Sequence, residues 1–116
     1  MTRPDQPLLG EVEQLVLLAV LRLGHEEAYA VPIRALIQHE AGVDLSRGTI
    51  YVTLERLERK GYVTSWFSEP QAVRGGKARR HYRLKAPGLT AVRAAKRAVD
   101  RLAAGTIIAT PAEGKA

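Results

Sequence analysis

The chain has 116 residues, 46% of them hydrophobic, with no cysteine and a net charge of +6. This leaves room for one domain with a modest core, and it excludes disulfides, thiolate metal centres and general disorder. The longest apolar run, Leu15 to Leu21, falls far short of the roughly 20 residues a membrane span needs. The opening "MTRPDQPLLGEVE" puts acids where a secretion signal needs its apolar stretch, so a cytoplasmic location with no membrane partner is expected.

Residues 1–9, with two prolines, read as a flexible lead-in. The spacing predicts a first helix from Gly10 to Leu23, apolar on nearly every side through Val12, Leu15, Val16, Leu17, Leu18, Ala19, Val20, Leu21 and Leu23. Such a helix is covered all round, either deep in its own core or by a second subunit, and both readings stand at this point. Pro32 opens the second helix, whose stripe of Ile33, Leu36, Ile37 and Ala41 ends at Gly42. Ser46 caps a third helix that stops at Gly61 and turns Ile50, Leu54 and Leu57 inward. Two amphipathic helices across so short a turn form a helix-turn-helix, a weak signal alone.

The next segment of the chain strengthens it. The β-prone runs 62–67 and 79–84 flank a loop tipped by Gly75 and Gly76, which reads as a hairpin attached to the third helix. In its second run Tyr82 and Leu84 point one way, His81 and Arg83 the other. A last helix begins near Pro87 and carries Val92, Ala95, Val99 and Leu102 at coiled-coil spacing, with Arg93, Lys96, Arg97 and Arg101 on its other side. Residues 105–116 read as a flexible tail, with Ile107 and Ile108 as candidate anchors. The expected fold is mostly α with a small β-hairpin. It is a winged helix-turn-helix of three helices and a two-stranded wing over 10–85, with an additional C-terminal dimerisation helix over 86–104.

Charge is distributed unevenly along this plan. Residues 1–69 hold seven Lys/Arg against ten Asp/Glu, whereas residues 70–99 hold nine Lys/Arg and no acid. A basic block of that length, interrupted by strand signals, is the footprint of a polyanion-binding surface rather than of solubility alone.

In order and spacing, "GEVEQLVLLAVLRLG", "SRGTIYVTLERLERKGYV" and "GGKARRHYRLKAPG" resemble the PadR-like transcriptional regulators. The most specific element is Gly48, Thr49, Ile50, Tyr51, Leu54, Leu57 and Glu58, and the likeness covers roughly residues 10–95, as a short form of the family. The resemblance implies a bacterial winged-helix repressor working as a homodimer, its first and last helices holding the subunits together. Three positions depart from the family pattern. Val52 stands where proline is usual, Tyr29-Ala30-Val31-Pro32 replaces a Tyr-Gly-Tyr-like stretch, and no threonine caps the last helix near Lys85. The first falls on the surface that would read DNA, where relatives with different operators should differ.

That surface is the outward N-terminal half of the third helix, which enters the major groove in such proteins. Ser46, Arg47, Gly48, Thr49, Tyr51, Val52 and Arg56 are the candidates there. Gly48 lets the backbone approach, Val52 packs on a thymine methyl, and Arg47 or Arg56 donates to guanine or phosphate. Tyr51 suits a phosphate contact or a core aromatic with its hydroxyl at the rim. Glu55 is expected to pair with Arg59 at i+4 rather than to read cytosine. On the wing, Arg74, Lys77, Arg79 and Arg80 are assigned to phosphate or minor-groove contact. Leu15, Leu18, Val92, Val99 and Leu102 are assigned to dimerisation.

Trp66 reads as packing beneath the wing more than as lining for an effector. His25, His39 and His81 have no metal-ligand spacing, so no metal or cofactor is expected. Neither a nucleophile elbow nor a phosphate loop is present, and no catalytic residue is assigned. The expected partners are operator DNA, a second copy of the chain and an unidentified small-molecule effector. The rival readings are a winged-helix protein-interaction module and a nonspecific nucleic-acid-binding protein.

Overall fold

The computed structural model describes residues 8–68 and 78–109. In chain order these form α1 (Glu11–Leu23), α2 (Ala30–Ala41), α3 (Arg47–Arg59), β1 (Val63–Phe67), β2 (Arg80–Leu84) and α4 (Ala86–Ala103). This is the winged helix-turn-helix the sequence predicts. None of the described helices is long and apolar enough to cross a membrane.

Local chemistry explains the boundaries. The Gly10 N–H donates to Glu13 Oε1 at 2.9 Å and closes the first turn of α1. α2 begins at Ala30, two residues before Pro32, so the proline sits in the first turn rather than at its first position. Its missing N–H costs nothing there, because N–H groups of a first turn lack intrahelical acceptors. Gly42 ends α2 in the left-handed conformation, φ 70°, and its N–H donates to the Gln38 carbonyl. At α3 the Ser46 hydroxyl oxygen accepts from the Thr49 N–H at 3.0 Å. The same hydroxyl donates to Thr49 Oγ1 at 2.9 Å, a side-chain contact and not the backbone bond of a capping box.

Val16, Leu17, Val20, Ile33, Ile50, Leu54, Leu57 and Val63 are essentially sealed from solvent and form the centre of the core. Leu9, read from sequence as part of the lead-in, is buried with them. Burial of side chains of this size contributes roughly 1.5–3 kcal/mol each before the entropy of ordering is set against it. α1 therefore has a buried face and an open one: Leu18 and Leu21 remain 44% and 48% exposed, and Leu15 is half-buried.

β1 and β2 pair antiparallel, with Val63 opposite Leu84, Ser65 opposite Tyr82 and Phe67 opposite Arg80. The Tyr82 N–H reaches beyond the hairpin to the Ala28 carbonyl at 2.9 Å, hooking the wing to the loop before α2. The expected alternation along β2 is only partly a division into buried and open faces, since His81 and Tyr82 are both buried. His81 is covered by Tyr29 and by Trp66, its cross-strand partner in the same hairpin, with centroids 5.3 and 5.6 Å away. α4 docks closely on the start of the hairpin at Gly88. A Cβ there would lie 2.3 Å from the Tyr62 carbonyl oxygen.

The seam read along α4 divides in two. Val92 and Ala95 are buried in the core of their own chain, which corrects the assignment of Val92 to a subunit contact. Val99 and Leu102 are 59% and 85% exposed, and no residue of the helix after Ala95 is buried. Ile107 and Ile108 anchor nothing among the described residues and are exposed.

Candidate nucleic-acid interface

The placement of α3 is over-determined. From the α2 side, Arg34 Nε donates to the Leu45 carbonyl at 2.6 Å and its guanidinium also pairs with Asp44 at 3.2 Å, fixing the turn. From below, Ile50, Thr53, Leu54 and Leu57 are buried. At its far end Lys60 pairs with the buried Glu13 carboxylate of α1 at 2.8 Å. Burial alone raises the Glu13 pKa, but the Lys60 hydrogen bond, the Gly10 N–H and the charges of Lys60 and Arg56 outweigh it. The carboxyl ends below the ordinary glutamate value.

On the opposite face Arg47, Gly48, Thr49, Tyr51, Val52, Glu55, Arg56 and Arg59 are all exposed. Tyr51 and Val52 are 46% and 52% exposed, so Tyr51 is a surface aromatic rather than a core one. A Cβ on Gly48 would meet nothing closer than Ser46 Oγ at 3.9 Å, so the fold itself does not need a glycine there. Ser46 is committed to capping, whereas the Thr49 hydroxyl hydrogen stays available to a partner. Among the described residues Arg47, Arg56, Arg59 and Arg79 form no ion pair. The expected Glu55–Arg59 pair is thus not made. An exposed i, i+4 pair is worth only a few tenths of a kcal/mol, too little to hold two long side chains in one geometry.

The wing residues separate into two roles. Arg79 is exposed, with its guanidinium carbon 4.6 Å from the centre of the Tyr29 ring. Arg80 is engaged from within. Its guanidinium donates to Glu58 at 3.0 Å and to Ser65 Oγ at 3.1 Å, while Ser65 Oγ donates to the other Glu58 oxygen at 2.8 Å. This closed triangle joins both strands to α3. It makes Arg80 a fastener of the wing more than a free cation, which the basic cluster in the sequence did not reveal. Arg74 and Lys77 lie outside the described residues.

Between α3 and the wing runs a groove of about 450 Å³, lined by Tyr29, Val31, Tyr51, Val52, Phe67 and Arg79 among others. Val31 and Phe67, 60% and 66% exposed, escaped the sequence reading, which had no signal separating them from core residues. Among the described residues no group of histidines and acids is placed to hold a metal ion.

A capped helix projecting cations and small groups beside a hairpin fits nucleic acid. The family model that matches the chain, over residues 17–94, is that of the transcriptional regulator PadR-like family. The chain belongs to this family. Solved PadR-type structures agree. A PadR family transcription regulator from Clostridium difficile R20291 is 23% identical, with 81% of this chain and 95% of that one covered at a TM-score of 0.66. A PadR family transcriptional regulator from Eggerthella lenta is 26% identical over 79% of each chain, at a TM-score of 0.62. A transcriptional regulator from Clostridium thermocellum is 20% identical, covering 78% of this chain and 82% of that one, at a TM-score of 0.66. None of the curated proteins matches the chain. As a PadR-like protein the chain is a winged-helix regulator of transcription.

Proposed function

We propose that the protein is a homodimeric repressor that reads a palindromic operator with α3 and grips the flanking backbone with its wing. One observation carries this reading. The fold holds α3 from three sides and leaves its fourth side open, with Arg47, Arg56 and Arg79 free of ion pairs among the described residues. In that role Val52 meets thymine methyls, Arg47 and Arg56 meet guanine edges or phosphate, and Thr49 and Tyr51 donate to the backbone. Arg79, with Arg74 and Lys77, supplies affinity and salt dependence.

The exposed Leu18 and Leu21 of α1, and Val99 and Leu102 of α4, are the apolar surface that a second subunit covers. Two recognition helices then meet successive major grooves about one helical turn apart. A small-molecule inducer would release the operator by binding more tightly to a dimer whose helix spacing no longer fits. Fluorescence anisotropy with a duplex from the protein's own promoter and a scrambled control tests the reading. Selective, salt-sensitive binding to the promoter supports it, and equal affinity for both duplexes overturns sequence-specific repression.

A further inference from the structure

The outer side of α4 carries a row of arginines that neither the core nor the apolar seam uses. Arg93, Arg97 and Arg101 follow one another at intervals of four residues and are all exposed. At about 100° of turn per residue, the row lies on the far side of the helix from Val92, Ala95 and Val99. A second subunit covering Val99 and Leu102 therefore leaves it open. Like charges four residues apart weaken a helix, and among the described residues none of the three arginines joins an ion pair. The one acid beside them, Asp100, is taken by Lys96 at 2.6 Å.

The chemistry of this strip selects its partner. Arg93, Lys96, Arg97, Asp100, Arg101 and Ala104 line it, without one large apolar side chain. The centre of a protein–protein interface is apolar and poor in charge, which this strip is not. A lipid surface would take up the apolar side of the same helix, and that side is committed to the core at Gly88, Val92 and Ala95. A nucleic-acid backbone needs only cations at regular intervals. Arg93 to Arg101 spans about 12 Å, over which one strand of a duplex presents about three to four phosphates. Arginine also suits phosphate, because its planar fork can bond two oxygens at once.

Position sets the strip apart from the reading end of α3. α4 begins where α3 ends, with Gly88 against the Tyr62 carbonyl, whereas Arg47 to Val52 occupy the N-terminal half of α3. α1 packs against both α3 and α4, so each of the two turns its open face away from a shared core.

We propose that the arginine row of α4 is a second nucleic-acid site, which grips the backbone of one duplex while α3 holds another, so that the protein bridges two DNA segments. The row adds affinity and no sequence choice.

The test tethers the promoter duplex, saturates it with protein and offers a labelled duplex of scrambled sequence. It compares the wild type with Arg93→Gln/Arg97→Gln/Arg101→Gln, three exposed changes that leave the core intact. The promoter-bound wild type should capture the labelled duplex. The triple variant should capture about tenfold less, with promoter affinity within about twofold of the wild type and a salt slope of capture smaller by about 3. No capture by the wild type overturns the bridge. Capture that the triple variant retains assigns the second duplex to another α3 or wing, and an equal loss of promoter affinity merges the row with the first site; either result overturns the proposal. Capture of polyglutamate or of anionic vesicles in place of the duplex overturns nucleic acid as the occupant. All of these leave sequence reading by α3 in place. Equal wild-type affinity for promoter and scrambled duplexes is the separate result that fails the repressor reading, and the bridge is still scored by the triple variant.

Discussion

Gly48 is exposed, has room for a side chain, and sits in the first turn of α3. Glycine there lowers helix stability, by about 0.5–1 kcal/mol relative to alanine in a helix interior. Gly48→Ala should therefore raise the melting temperature while weakening promoter binding, a separation visible by running both measurements on one preparation. Gly88 is the opposite case. An added methyl would collide with the Tyr62 carbonyl, so Gly88→Ala should destabilise the fold by about 1–3 kcal/mol in a urea titration. His81 is a third kind of residue: among the described residues its Nδ1 is buried without a partner while its ring stacks on Trp66. His81→Phe keeps the stack and removes the orphan, so thermal stability should hold or rise. None of these three roles can be read from residue type. Each depends on what a remote segment brings within reach.

At the scale of elements, α3 was legible because its signals are local. Ser46 three residues before Thr49, and Ile50, Leu54 and Leu57 at helical spacing, fix its start and its buried face. Its fastenings were not legible, because they join segments far apart in sequence. Glu58 pairs with Arg80 across 22 positions while the nearer Glu55 and Arg59 stay apart, and Glu13 meets Lys60 across 47. For the same reason Arg79 and Arg80, adjacent and alike, part into a cation that makes no ion pair among the described residues and a fastener. Arg79→Ala should reduce the salt slope of DNA binding by about 1 with stability unchanged. The Glu13–Lys60 link has a pH signature. A carboxyl whose folded pKa is depressed stabilises fully above its unfolded value, about 4.3, and loses that contribution as pH falls through the folded value. In Lys60→Met, burial acts on Glu13 with less opposition, and acid unfolding should begin at a higher pH than in the wild type.

On the scale of the whole molecule, exposed apolar residues line the α3–wing groove and stand on the open sides of α1 and of α4. The coiled-coil spacing of α4 indicated the last of these without showing that its first half serves the monomer. Val92→Ala should cost about 2 kcal/mol of stability, and Leu102→Glu should leave stability alone but convert a dimer to monomers in light scattering. Reading of sequence by α3 and holding of backbone by the wing are tested most directly by a salt series of anisotropy titrations. These compare wild type, Val52→Ala and Arg79→Ala on promoter and scrambled duplexes. Val52→Ala should weaken the promoter alone, by about 1 kcal/mol, and Arg79→Ala should weaken both duplexes and flatten the salt slope. Equal losses on both duplexes from Val52→Ala, or none from either variant, would contradict that division of labour.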